Sequence, residues 1–263
     1  MRFRCAVMFL RKPLASGFAH YTGSMRGSLA LSAAGAALLV GGYFYAGMWP
    51  QSQIFGRTLI AGDDPGEVAL TYDDGPNPAA TERLLEVLAH HKVSATFFLI
   101  GGFVRQRPDL ARAIAAAGHL IGNHTMTHPW LAWQSAACIR EELAGCNAAI
   151  EDALGAPIRY FRPPHGARRP YVLRTARELG LTTVQWNVTC FDWEAPPPDT
   201  ILGHAVRGIT RNRQRNRASN VLLHDGGQHG LGQPRMATVE ATDQLITRYK
   251  QAGAKFVTVD AWA

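Results

Sequence analysis

Acidic residues are missing from the start of this chain: none occurs before Asp63, while Arg2, Arg4, Arg11, Lys12 and Arg26 lie in that stretch. The formal charge of +7 is therefore largely a property of one end, and the part after residue 49 is much closer to neutral. Charge placed this way is not the footprint of a nucleic-acid-binding domain, and no nucleic-acid partner follows from it. Cysteine is scarce, at four in 263 residues. Cys138 and Cys146 are spaced along a predicted helix by roughly 12 Å, too far for a bridge, and Cys5 and Cys190 stand alone. These spacings make neither a disulfide framework nor a zinc knuckle, so the thiols read as free. No internal repeat is visible. With 47% apolar and 18% charged residues, a sizeable core is possible and general disorder is excluded. The length suits one domain plus an extension.

The one long hydrophobic run covers residues 29–48 and carries no charge. At about 1.5 Å per residue it makes roughly 30 Å of helix, the thickness of a bilayer core. Basic residues precede it, so the N-terminus should stay cytoplasmic and the rest should cross. Tyr43, Tyr45 and Trp49 would then sit at the far interface. A cleaved signal peptide and a buried helix are the rival readings; the length favours an anchor. The expected organisation is a basic tail over 1–28, a transmembrane signal anchor over 29–49, a linker over 50–64 and a catalytic domain over 65–263. This predicts a single-pass protein of the cell membrane with its catalytic domain outside the cytoplasm.

Downstream, apolar and amphipathic runs alternate. Strand-like pieces are 68–72, 95–100, 120–123, 159–161, 183–187, 221–223 and 256–259. Helical patterns lie near 79–91, 108–117, 134–154, 170–179, 198–209 and 235–252. Strands separated by helices predict parallel βα units, in an open doubly wound sheet or a barrel. Either architecture does its chemistry at the C-terminal strand ends.

Four short segments fall mostly at such ends: Asp73-Asp74-Gly75-Pro76-Asn77, His124-Thr125-Met126-Thr127-His128, Arg162-Pro163-Pro164-His165-Gly166 and Leu222-Leu223-His224-Asp225. Successive residues at a strand end point in different directions, so Asp73 and Asp74 can hold different jobs. In a helical turn, the spacing of His124 and His128 would put both imidazoles on one face, close enough to share a cation with Asp74. Two histidines and a carboxylate leave coordination positions open, as a catalytic metal needs. Zinc is the natural ion for these ligands, with cobalt, nickel or manganese as alternatives. Arg162 precedes two prolines, and a stiff loop there can hold a guanidinium against Asp73 and keep it ionised. His224, at a strand end, can protonate a leaving amine, and Asp192 could hold that imidazole and favour its charged form. Each segment alone also has a plain reading: an Asp-Asp-Gly turn, a pair of surface histidines, an arginine before a polyproline kink, a loop aspartate beside a packing tryptophan. The other histidines (His20, His90, His91, His119, His204, His229) lack partners at ligand spacing. Arg207, Arg211, Arg213, Arg215 and Arg217 crowd the approach to the strand near 221. They could contact an anionic glycan or lipid phosphate, and a solvated face after a helix is the plainer reading.

The order of these motifs, with Asp192-Trp193 among them, resembles the polysaccharide deacetylase family, the NodB-homology domain of carbohydrate esterase family four. The resemblance spans about residues 65–260. It implies an irregular (β/α)7-type barrel, a divalent metal and an N-acetylated glycan as substrate; no protein partner is implied. Carried over by position, it makes Asp73 the base, Asp74, His124 and His128 the metal ligands, Arg162 the support of Asp73, and His224 the acid assisted by Asp192. The backbone N–H of His165 would help hold the oxyanion. Leu222 would line a pocket for the acetate methyl, and Trp193 would meet substrate. The implied reaction is hydrolysis of a sugar N-acetyl group by water activated at the metal. Alternatives are deacylation or deformylation of a small or lipid-linked sugar amide, or glycan binding without turnover. Three positions depart from the family pattern. Tyr72 replaces a frequent phenylalanine and His165 a usual tyrosine. Thr189 replaces a frequent aspartate, which opens the question of what tunes His224.

Overall fold

The computed structural model describes residues 38–263. Residue contacts divide the chain into a unit Met1–Tyr43 and a unit Phe44–Ala263, and the sheet belongs to the second. Most of the expected anchor lies outside the described residues. Its described part is helical over 38–48, and among the described residues no helix is long and apolar enough to cross a membrane.

The strands are β1 (Glu67–Gly75), β2 (Thr96–Leu99), β3 (Leu120–Asn123), β4 (Tyr160–Phe161), β5 (Thr182–Thr183), β6 (Val188–Thr189), β7 (Ser219–His224) and β8 (Lys255–Phe256). All pairings are parallel, in the order β5-β4-β3-β2-β1-β7-β6, with β8 on β1. The two outermost strands are neighbours in sequence, and this forces curvature. A flat sheet of seven strands would hold its edges about 29 Å apart, whereas the few residues joining β5 to β6 reach at most roughly 18 Å. The sheet therefore curls into an irregular barrel.

Residues 59–62, within the stretch expected as a linker, are bonded to the strands around the gap between those edges. Leu59 pairs in parallel with Val184, donating to the Thr183 carbonyl and accepting from Gln185 N–H. Ile60 accepts from Asn220 Nδ2, and Gly62 accepts from Ala218 N–H. The run expected as a strand over 183–187 overlaps β5 only at Thr183; the chain then leaves that sheet edge, and β6 begins after the run, at Val188, on the other edge.

The helices are α1 (Thr81–His91), α2 (Gly101–Gln106), α3 (Pro108–Ala116), α4 (Ala136–Leu154), α5 (Pro170–Glu178), α6 (Pro198–Gln214) and α7 (Met236–Gln251). Six match the predicted runs; α2 was not legible because its Gly-Gly start reads as a turn. Helix α6 runs past the expected end near 209, so Arg211 and Arg213 are helical and not beyond a helix.

Strand periodicity sorts the side chains into two layers. Val68, Leu70 and Tyr72 pack with Phe97, Leu99, Val221 and Leu223 in the core beneath the helices. Ala69 and Phe98 pack with Tyr160, Val184 and Val259 on the other face. Thr71 and Asp73 share the parity of Ala69, and Asn220, Leu222 and His224 alternate with the core residues of β7. The register sets Thr71 beside Leu222 and Asp73 beside His224. A polar cluster thus forms inside the sheet's curve.

Candidate active site

Plain alternation would send Asp74 to the helix side, opposite Asp73. A β-bulge prevents this: the β1–β2 register skips Asp74, which takes a left-handed φ of 68°. Bulges beside active sites commonly re-aim a side chain this way. Both carboxylates then face the same place, Asp73 being 3% and Asp74 7% exposed.

The histidine pair sits on a loop, which corrects the expected helical turn. The loop is wired by its own side chains. Thr125 N–H donates to Asn123 Oδ1 at 2.6 Å, and His128 N–H donates to Thr125 Oγ1 at 3.0 Å. Thr125 and His128 both adopt positive φ, and Glu142 accepts from the Thr127 amide and hydroxyl. The N–H groups of Gly101 and Gly102 hold the carbonyls of Thr125 and Met126. A Cβ on Gly101 would come within 2.8 Å of Met126 Sδ and 2.9 Å of Cys146 Cα, so only glycine lets the loop lie this close.

Within the loop, His124 Nδ1 lies 2.8 Å from the carbonyl of Arg162. A carbonyl only accepts, so Nδ1 carries a proton and neutral His124 presents a bare Nε2 lone pair. That lone pair lies 3.4 Å from Asp74 Oδ1, and His128 Nε2 lies 3.1 Å from the same oxygen. Neither approach is aligned as a hydrogen bond, and Oδ1 is a buried oxygen without one. The ligand atoms of Asp74, His124 and His128 all lie within 4.8 Å of one another. Buried acceptors converging on one point fit a cation, and two imidazoles with a carboxylate suit a divalent transition metal.

Arg162 is fully buried. Its Nη1 donates to Asp73 Oδ1 and to Thr71 Oγ1, both at 2.8 Å, and its guanidinium lies 4.2 Å over the Phe98 ring. Burial pushes the Arg162 pKa down, and the paired Asp73 pulls it back. The other Asp73 oxygen, Oδ2, is 3.7 Å from His124 Nε2.

On the far side, His224 Nδ1 lies 2.9 Å from Asp192 Oδ1, and Asp192 Oδ2 accepts from the His224 amide at 2.7 Å and from Thr238 Oγ1 at 2.9 Å. Burial would lower the His224 pKa; the Asp192 charge and hydrogen bond, with Asp74 and Asp73 beyond, raise it to about 9. Thr189, standing where an aspartate is frequent, accepts from Trp186 Nε1 instead. Asp192 therefore supplies the main tuning of His224 by itself.

These groups line a cleft of about 530 Å³, with Leu222, Trp186 and Trp193 as its apolar walls. The Trp193 ring meets His224 edge-on, and His165 stacks on Trp130 with ring centroids 3.8 Å apart. None of the five arginines of the 207–217 stretch lines the cleft. All ten residues singled out from sequence lie in the cleft or support it. Four others were missed. Asn77 and Asp225 stand inside quoted motifs without an assigned job. Trp130 and Arg235 carry no local sequence signal.

Fold and site together define a metal-dependent hydrolase. Residues 61–184 match the family model described as polysaccharide deacetylase. A chitooligosaccharide deacetylase of Rhizobium leguminosarum bv. trifolii is 42% identical over 63% of this chain and 74% of its own length. A peptidoglycan-N-acetylglucosamine deacetylase of Bacillus cereus is 35% identical over 73% of this chain and 85% of its own. The crystal structure of a family-four pseudoenzyme from Bacillus anthracis superposes with a TM-score of 0.66 at 32% identity, covering 75% of this chain and 65% of that one. The chain belongs to the polysaccharide deacetylase family.

Proposed function

We propose that this protein removes N-acetyl groups from a glycan, with Asp73 as general base and His224 as general acid. The observation that carries this is the bare His124 Nε2 facing an unpartnered Asp74 oxygen, beside an ion-paired carboxylate and a charged imidazole. Asp74, His124 and His128 would hold the ion, zinc being preferred over cobalt, nickel or manganese. When bound, it would supply Lewis acidity at a water and at the acetamide oxygen.

The chain's own residues then have separable tasks. Arg162 occupies Asp73 Oδ1, which fixes the carboxylate while Oδ2 remains free to take a proton from water. His224 holds a proton on the neighbouring strand and can pass it from Nε2 to the departing amine, because Nδ1 is engaged by Asp192. Base and acid are register partners on β1 and β7, so proton removal and delivery occur on one face of the sheet. Leu222, two residues before His224, suits the acetate methyl, with Trp193 alongside. The His165 N–H is assigned to the developing oxyanion.

A glycan binder without turnover has no use for both an acid and a base, and the resemblance to a pseudoenzyme is outweighed by their presence together. The apolar run at 29–48 and the basic residues before it support a single-pass anchor with the domain outside the cytoplasm; protease accessibility on intact cells tests this. Acetate release from chitooligosaccharides and peptidoglycan strands, with and without chelator, tests the chemistry. Chelator-sensitive release is expected, and no release from any acetylated glycan by metal-loaded protein would overturn the proposal.

A further inference from the structure

Arg235 lines the same cleft and has no task in the reaction just described. It immediately precedes α7 and is 9% exposed. Its Nε donates to the Gly226 carbonyl at 2.6 Å. Among the described residues, no carboxylate lies within ion-pair distance of its guanidinium, and its two Nη groups have no hydrogen-bond partner. Arg162, the other buried guanidinium at this site, has Asp73.

Two facts make the lone charge informative. Taking a guanidinium out of water without a counter-charge is costly. Its position also adds to the cost, because the N-terminal end of a helix carries positive partial charge and the first turn of α7 holds no acid to offset it. Both sources of positive potential are met by an anion supplied from the cleft.

The position is built, not incidental. Asn77, itself buried, donates from Nδ2 to the carbonyls of Asp225 and Gln233, and accepts at Oδ1 from Gly232 N–H. Those bonds clamp the loop 226–235 onto the end of β1. Gly226 lies so close that a Cβ there would fall 2.0 Å from the Asp74 carbonyl oxygen. Arg235 is thereby fixed relative to the Asp74 trio.

We propose that Arg235 receives a carboxylate carried by a sugar unit next to the acetamido group being hydrolysed. The substrate class is then an acidic N-acetylated glycan. This rests on the deacetylase reading. Among the described residues, Arg235 is the only arginine or lysine lining the cleft, which matches the single charge of a carboxylate better than a phosphate dianion. It also moves anion recognition away from the 207–217 arginines, which lie outside the cleft.

The test uses the metal-loaded full chain and peptide-free oligosaccharides in which N-acetylglucosamine alternates with a unit bearing a lactyl carboxylate. The methyl ester of the same oligosaccharide keeps the shape and removes the charge. Wild type should favour the acid over the ester by roughly tenfold or more in kcat/KM, mainly through KM. In Arg235→Gln that ratio should fall to near one, and Arg235→Lys should retain part of it. A wild-type ratio near one overturns the inference without any variant, and so does a ratio that persists in Arg235→Gln. Release from neutral chitooligosaccharides alone overturns this inference and leaves the deacetylase reading standing. Release from no glycan removes both.

Discussion

The two sides of the cleft differ in how complete they are. On the β7 side, His224 and Asp192 satisfy each other, and Thr238 and a backbone amide fill the remaining Asp192 valences. On the β1–β3 side, the Nε2 atoms of His124 and His128 face Asp74 Oδ1 and no hydrogen bond satisfies that oxygen. A self-satisfied dyad is a working part as it stands. A convergence of unpartnered acceptors, buried and held by bulge, loop and carbonyl, makes physical sense around a cation. One side is tuned by the protein, and the other is shaped for a guest.

The largest effects should come from the incomplete side. Asp74→Ala or His128→Ala should remove bound metal and lower acetate release by roughly a thousandfold or more, read by metal content and turnover together. Asp73→Asn should keep the metal and still lose about 10²- to 10⁴-fold in turnover, since it deletes only the base. Full activity in that variant would contradict the base assignment and blur the contrast between the sides. Arg162→Met tests the support beneath. Leaving Asp73 buried without its partner should cost about 3–5 kcal/mol of stability, measured by urea unfolding.

The complete side should respond through pH. His224 has a folded pKa of about 9, above the usual histidine value near 6.5, so the protonated acid is present below 9 and is lost as pH rises through it. The pair likewise favours the folded chain fully below about 6.5, and that contribution disappears as pH climbs through the folded value. Asp192→Asn should move the alkaline limb of kcat/KM towards lower pH and reduce turnover by about tenfold to a hundredfold. An unmoved limb would separate Asp192 from the acid. The smallest effect is expected at the rim: Trp130→Ala, which removes the plane under His165, should raise KM by about threefold on glycan substrates.

Sequence showed the parts of this site better than their arrangement. The alternation through Val68–Tyr72, the His-Thr-Met-Thr-His segment and the Leu-Leu-His-Asp strand end were readable because each pattern is local. The bulge that returns Asp74 to the side of Asp73 was not, because it depends on how β1 registers with β2. The loop that replaces the expected turn at His124 is set by Asn123, Thr125 and Glu142, and no spacing rule reveals those bonds. The role of residues 59–62 beside the gap follows from the barrel's incomplete closure. That is a property of seven strands together, and residues met one at a time read there as a linker. Arg235 looks like any arginine before a helix until its burial and lack of a counter-charge are known.

The claim on which the rest depends is that Asp74, His124 and His128 hold the ion that hydrolysis needs. The most direct test follows acetate release from an N-acetylglucosamine oligomer while metal is stripped from the purified protein and returned as zinc. Release should fall to background and recover at one equivalent of zinc per chain, with no recovery in Asp74→Ala. Undiminished release by fully stripped protein would contradict the claim.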